Sequence, residues 1–409
     1  MNVNDRQTVW KVLANISRFV LAAVFIFSGF IKANDPYGTV FKLQEYVAAF
    51  GLTGIPFITL IIVAIALALV EFFIGVHLLF GMSQDIASKL ALVFMGAMTL
   101  LTAYIWIFNP VSDCGCFGDV IILSNGMTFG KNIVLFAAAI VNMKFCRLYV
   151  KIVGENTKWL LTLFCVVYIF IYSIICLYTL PWLDLSAYKI GTDMRSEEVK
   201  EAIAGFYITD IETDDDVTDD IVYKDGYVFL LSIPDLMHAD EGCVDLVNEI
   251  YEYSLDNGYD FYCITGSLDE KDREYWIDHT GAEYKFYESD ASELKTLIRS
   301  SPGLMLLKDG VIIGKWSNYT LPDENVLTAR LDKLPIGKLN PESEKKKALD
   351  LLLKFLLPML AIIIIDRIGS GFAWYRSWRK KTNKLQLEQI KEQINIQKTE
   401  RLSNKSKQK

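Results

Sequence analysis

Asp113-Cys114-Gly115-Cys116-Phe117-Gly118-Asp119 lies between the apolar runs 90–108 and 132–143, so two thiols one residue apart stand where a long apolar segment ends. A hydrocarbon core about 30 Å thick takes roughly 20 apolar residues of helix. Residues 12–31, 56–80, 90–108, 132–143 with its flanks, and 159–180 suit that length, and the chain is expected to cross a bilayer repeatedly. A sixth span is expected over 348–365. Asp350 and Lys354 stand near its start, but 351–365 is almost unbroken apolar sequence and basic residues follow at once. Arg6, Lys11 and Arg18 look like the charged start of a signal peptide. No small-residue cleavage site follows, and the run continues into Gly29-Phe30-Ile31-Lys32, so it is read as part of the mature chain.

Lysine and arginine gather on the cytoplasmic side of membrane spans. Three basic clusters fall on one side of a six-span chain: Arg6, Lys11 and Arg18; Lys144, Arg147, Lys151 and Lys158; and Arg376, Arg379, Lys380, Lys381 and Lys384. A multi-pass protein of the bacterial inner (plasma) membrane is expected, with both termini cytoplasmic and the Cys-Gly-Cys loop and residues 181–347 periplasmic. That compartment is oxidising, so thiols there can cycle through a disulfide. Residues 184–344 carry 36 Asp and Glu against 14 Lys and Arg, a net −22, which leaves +14 for the rest of a chain whose total is −8. The basic remainder suits the anionic inner leaflet, and no nucleic-acid partner is expected.

The expected fold class is an α-helical membrane bundle with an inserted α/β domain. Its divisions are a four-helix membrane domain over 1–145, a cytoplasmic loop and fifth helix over 146–180, an acidic domain over 181–347, a sixth helix over 348–370 and a basic tail over 371–409. In the tail, 386–397 places Leu387, Ile390 and Ile394 at helical spacing. It reads either as a surface helix or as a partly ordered solvated segment.

Within the acidic domain, strands are expected over 227–233 and 259–265, and helices over 243–255, 268–279 and 292–299. A hairpin pairs 304–307 with 311–316 across Lys308-Asp309-Gly310, since an Asp-Gly turn between apolar runs favours the tight connection. The Asp214–Asp216 and Asp219–Asp220 cluster reads as a solvated loop, because the glycine-bearing pattern of a calcium loop is missing.

The stretch from Pro302 to Trp316 resembles the thioredoxin fold, and the resemblance implies a cis peptide bond at Pro302. No Cys-x-x-Cys follows the strand at 227–233, where that family carries its redox pair; Pro234-Asp235-Leu236-Met237-His238 and later Cys243 stand there instead. Cys243 and Cys263 are secondary thiols, either buried and unpaired or bridged. Arg18-Phe19-Val20, Ser28-Gly29-Phe30-Ile31-Lys32, and Glu71 with Gly75 and Gly81 resemble the DoxX family of four-span proteins. The Cys-Gly-Cys loop with Thr128-Phe129-Gly130-Lys131-Asn132 is similar to the related MauE family over residues 10–145. Fusion to a thioredoxin-like domain resembles an arrangement found in Bacteroidetes. MauE implies help with disulfide formation or electron transfer while an exported dehydrogenase of methylamine utilisation matures.

Cys114 and Cys116 are the candidate catalytic residues. Cysteines one residue apart close a small, strained disulfide ring that is readily reduced, and Gly115 gives the backbone freedom it needs. Lys32 and Lys131 favour a thiolate, whereas Asp113 and Asp119 oppose it. Two other readings stand beside this one: the pair clamps the loop, or it binds a soft metal, for which two ligands are few. Glu71, expensive inside a span, carries protons or fixes packing through a neighbour such as Tyr104. His77 touches a quinone head group or lies at the interface. Two functions remain. One is thiol-disulfide exchange with an exported client, electrons passing to or from a quinone or another membrane carrier. The other is a non-catalytic assembly role in which the α/β domain recognises that client.

Overall fold

The computed structural model describes residues 3–52, 54–111, 114–116, 118, 123–148, 151–155, 157–203, 205–339 and 344–407. Among them, six helices are long and apolar enough to cross a membrane: α1 (Val3–Asn34), α3 (Phe57–Phe80), α4 (Gln84–Phe108), α5 (Asn125–Phe145), α6 (Lys158–Thr179) and α12 (Glu344–Lys407). Leu100, Val93 and Val134 are more than two-thirds exposed on them, as residues facing lipid are. The protein is a multi-pass membrane protein. All six expected spans are present, and α12 runs on as one helix through the basic tail, so the sixth span and tail are continuous.

The bundle is built on the contact of α1 with α3. A Cβ on Gly29 would lie 2.6 Å from the backbone nitrogen of Phe72, and one on Gly75 would lie 2.7 Å from that of Ile26. Hydrogen atoms at these two positions let the helix backbones touch, the usual use of small residues where no hydrophobic drive separates helices from lipid. Lys32 and Glu71 each stand one turn from such a glycine and are thereby brought face to face.

In the bundle one helix was not expected: α2 (Pro36–Ala49), which follows α1 and is too short to span a bilayer. Asp35 caps it by accepting from the Gly38 amide at 2.8 Å, and Pro36 occupies its first turn, where its missing N–H costs nothing. Val40 anchors it against Leu60 and Ala64 of α3.

Residues 181–339 fold around a sheet of order β1-β4-β3-β2-β5-β6. The strands are β1 (Thr209–Asp210), β2 (Tyr227–Ile233), β3 (Asp260–Thr265), β4 (Phe286–Glu288), β5 (Gly303–Lys308) and β6 (Val311–Ser317). β2 runs parallel to β3 and antiparallel to β5, and β5 turns back on β6. Helices α9 (Val244–Asn257), α10 (Glu270–Thr280) and α11 (Ala291–Leu297) link the strands. Phe229, Leu231 and Ile233 of β2 pack on one side with α9, and Val228 and Leu230 pack on the other with α11, which explains its nearly continuous apolar sequence. The Ser301-Pro302 bond is cis. This strand order and the cis proline before β5 make the domain thioredoxin-like.

The acidic stretch is more ordered than expected. Asp216 accepts from the Thr218 amide at 2.9 Å and so starts α8 (Thr218–Val222), whose first turn contains Asp219 and Asp220. Asp214 to Asp216 remain exposed.

The domain docks on the bundle end that carries the cysteine loop. Arg299 pairs with Asp35 at 2.9 Å, Ser317 donates to the Tyr178 carbonyl at 2.7 Å, and Asn34 donates to the Leu183 carbonyl at 2.9 Å. At the opposite end Asp366 of α12 accepts from the Gly154 amide and the Thr157 hydroxyl. A Gly75→Val protein should lose about 1–3 kcal/mol, the cost of overpacking a tight contact, and unfold several degrees lower in a detergent thermal melt. An unchanged melting temperature would mean that the α1–α3 contact does not organise the bundle.

Candidate functional site

The cysteine loop is held by its carbonyls. Tyr46 of α2 donates to the Cys114 carbonyl at 2.6 Å, and Ser28 of α1 donates to that of Cys116 at 2.9 Å. The Gly118 amide closes a turn onto the Gly115 carbonyl at 3.1 Å. Gly115 has φ +63°, and a Cβ there would also lie 2.7 Å from the side chain of Lys42. Glycine is therefore required both by the backbone and by the packing of α2.

Beneath the loop, Lys32 Nζ contacts Glu71 Oε2 at 2.9 Å, Ser28 Oγ at 2.7 Å and the Cys116 carbonyl at 3.2 Å. Those three contacts use the three protons of an ammonium. Lys32 and Glu71 are both largely shut away from solvent, and each charge is tolerable there because the other is present. A cavity of about 30 Å³ opens beside Cys116, with Ser28, Lys32, Glu71, Lys131 and Asn132 on its lining and apolar side chains such as Phe25, Phe94 and Met98 completing it. The space is water-sized and mostly apolar in its lining.

Both thiols are free. The hydrogen bond from Cys116 stabilises the Cys114 thiolate and lowers its pKa to about 7 against the opposing effect of burial; Lys131 and Lys32 add to the lowering. The same hydrogen bond and burial push the Cys116 thiol upward. The two thiols are thus unequal, Cys114 ionising more readily than an ordinary cysteine and Cys116 less readily. A stabilised thiolate stabilises the reduced form, which makes the corresponding disulfide more oxidising. Asp113 and Asp119 lie outside the described residues.

Several expected roles change in detail. Glu71 pairs with Lys32, while Tyr104 stacks between Phe50 and Phe108. His77 is buried in the last turn of α3, its Nδ1 at the Phe73 carbonyl and its Nε2 at the Thr162 hydroxyl, so both ring nitrogens have protein partners. Cys243 immediately precedes α9 without a capping bond from its side chain, and Cys263 lies within β3, both as free thiols. Burial pushes Cys243 up to about 11 and raises Cys263 as well, which leaves both unreactive.

Tyr46 and Lys42 were missed because α2 was missed; the Asp35-Pro36 start signal was the available clue. Asp240 was missed too. It stands three residues before Cys243 beside the cis proline, its amide donating to the Ser301 carbonyl at 3.0 Å and its carboxylate accepting from Asn318 at 2.6 Å. A carboxylate thus occupies the turn into α9, in the region where thioredoxins carry their redox pair.

Fold and site define a multi-pass helical membrane protein with a dithiol loop and a thioredoxin-like domain above it. Residues 10–145 match the family of methylamine utilisation protein MauE, the same stretch that carried the resemblance in the sequence. No curated protein matches the chain. Among solved structures, a Bacteroides thetaiotaomicron protein provisionally named a protein disulfide isomerase is 16% identical, covering 28% of this chain and 76% of its own, at a TM-score of 0.23. The thioredoxin domain of a thiol-disulfide oxidoreductase from Bacteroides vulgatus is also 16% identical, covering 27% and 81%, at 0.21. An uncharacterized conserved protein from Geobacillus kaustophilus is 15% identical, covering 38% and 87%, at 0.26. The fold assignment rests on strand order and the cis proline, not on these likenesses.

Alkylation of Cys114 by iodoacetamide, followed against pH by mass spectrometry, should rise with a midpoint near 7. In Cys116→Ala the thiolate loses its donor, so the midpoint should move upward. A midpoint that stays put in the variant would show that Cys116 does not tune Cys114.

Proposed function

We propose that this protein is a thiol-disulfide exchange protein of the bacterial inner membrane that oxidises cysteine pairs in exported proteins. The observation that carries the reading is the Cys114-Gly115-Cys116 loop, its two free thiols one residue apart and its carbonyls held by Tyr46, Ser28 and the Lys32–Glu71 pair beneath it. The basic clusters after α5 and within α12 support a cytoplasmic placement for both termini, and with six spans that favours a periplasmic loop and a periplasmic domain over 181–347.

In the oxidised protein, a client thiolate attacks the Cys114–Cys116 disulfide, forming a mixed disulfide and releasing one loop thiolate. The second client thiolate displaces the other loop sulfur. The client gains a disulfide, and the loop gains two electrons and becomes the dithiol. Lys32 and Lys131 favour the released thiolate, and Glu71 holds the Lys32 ammonium in place beneath the loop. Restoring the loop disulfide requires a two-electron acceptor, for which we propose a membrane quinone as substrate. The cavity beside Cys116 is water-sized, so the quinone is not assigned to it. The MauE description names methylamine utilisation, and a client in that process is the first to test.

The thioredoxin-like domain has no reactive pair among its described residues, which favours client recognition as its role. A purely non-catalytic assembly protein is the alternative. Thiol-specific mass tagging of native membranes, with and without reductant, should reveal a reversible Cys114–Cys116 disulfide. Cys116→Ser should accumulate a mixed disulfide with a periplasmic protein through Cys114. Loop thiols that stay reduced under all conditions, with no captured partner, would favour the assembly role.

A further inference from the structure

The loop faces two spaces. Cys116 borders the small cavity inside the bundle, whereas Gly115 and Gly118 border a larger one, about 550 Å³, bounded by α2, the connection 179–186, α11 with Arg299, and the start of α12. That volume lies in the range that accepts a drug-sized ligand or a short stretch of peptide.

The walls say which chemistry fits. Five of the six cationic side chains lining this chamber are already ion-paired, and the sixth, Lys295, rests over the Phe41 ring at 5.2 Å. No cluster of uncompensated cations is therefore available to hold a phosphate or an anionic head group. Three large apolar side chains, Trp182, Leu185 and Ile190, also line the chamber and are about two-fifths exposed. A tryptophan at a membrane boundary is ordinary, but that explains neither Leu185 nor Ile190. Gly115 and Gly118 of the loop belong to the same lining, beside the side chains of Lys42 and Ile31, so the chamber reaches the dithiol loop.

We propose that this chamber binds an extended segment of a reduced exported polypeptide, with an apolar residue beside its cysteine seated on Trp182, Leu185 and Ile190. Neutral polar backbone suits the paired charges, and an unfolded chain supplies the apolar side chain that a folded one would bury. The inference rests on the exchange reading, because it names the substrate class of the same loop. It gives the inserted domain a physical role, since α11 and Arg299 close one wall of the chamber.

The test uses the full-length protein in lipid nanodiscs. Two synthetic dithiol peptides differ only in Leu or Ser beside one cysteine, and dithiothreitol serves as a dithiol with no side chain to seat. Single-turnover reduction of the oxidised loop should be about tenfold faster with the Leu peptide, the equivalent of about 1.4 kcal/mol of apolar contact. Leu185→Ser and Trp182→Ala should abolish that preference while leaving the dithiothreitol rate unchanged. Equal rates for the two peptides, or variants that slow dithiothreitol as much as peptide, would overturn the proposal. So would a co-purifying lipid that is lost in Trp182→Ala without any change in peptide rates. A Ser-for-Cys version of the Leu peptide, labelled for anisotropy, separates the two claims in Cys114→Ser protein. Binding that is weakened by Leu185→Ser supports the chamber even if no thiol is ever oxidised, and absent binding overturns it even if exchange occurs.

Discussion

A lysine and a glutamate shut inside an apolar helix bundle must find each other, and the Lys32–Glu71 pair is the constraint around which this protein is arranged. Removing one partner from a buried pair costs about 3–5 kcal/mol, because the other charge is left without compensation. The pair forms because Gly29 and Gly75 let α1 and α3 touch, and its ammonium then has a proton left for the Cys116 carbonyl. The interaction that holds two helices together is thus the same one that supports the floor of the dithiol loop.

The roof of the site depends on α2. Its first residues face the inserted domain through Asp35 and Phe41, against which Arg299 and Lys295 are placed. Its later residues face the loop through Lys42 and Tyr46. One short helix therefore contacts both the thioredoxin-like domain and the thiols, and the domain contributes by position what it lacks in reactive cysteines. On its bundle-facing side Lys295, Arg299 and Lys315 stand beside Asp184 and Glu293, and Arg299 and Lys315 are ion-paired.

Much of this architecture was legible in the sequence, for identifiable reasons. The spans are long and apolar, so bilayer thickness alone picks them out. Strand β2 was bounded correctly at Tyr227–Ile233 because both of its faces are buried, and the Asp309-Gly310 turn marked the hairpin. The partner of Glu71 was not legible, because it depends on how α1 and α3 are rotated about their axes, and two glycines decide that. Strands β1 and β4 are two and three residues long, too short for any alternation to register. The carbonyl contacts from Tyr46 and Ser28 were invisible for a different reason: they join residues far apart in the chain through backbone atoms that carry no sequence signal.

The central claim is that Lys32 and its neighbours poise the Cys114–Cys116 couple to accept electrons, and the equilibrium reduction potential of that couple tests it most directly. Redox titration of the nanodisc-embedded protein against glutathione or dithiothreitol buffers, read by mass tagging, measures it. The account predicts a potential above about −200 mV, on the oxidising side of thioredoxin, that becomes more negative in Lys32→Met as the thiolate loses support. A potential below about −300 mV, the range of structural disulfides, or one that Lys32→Met leaves unchanged, would contradict it.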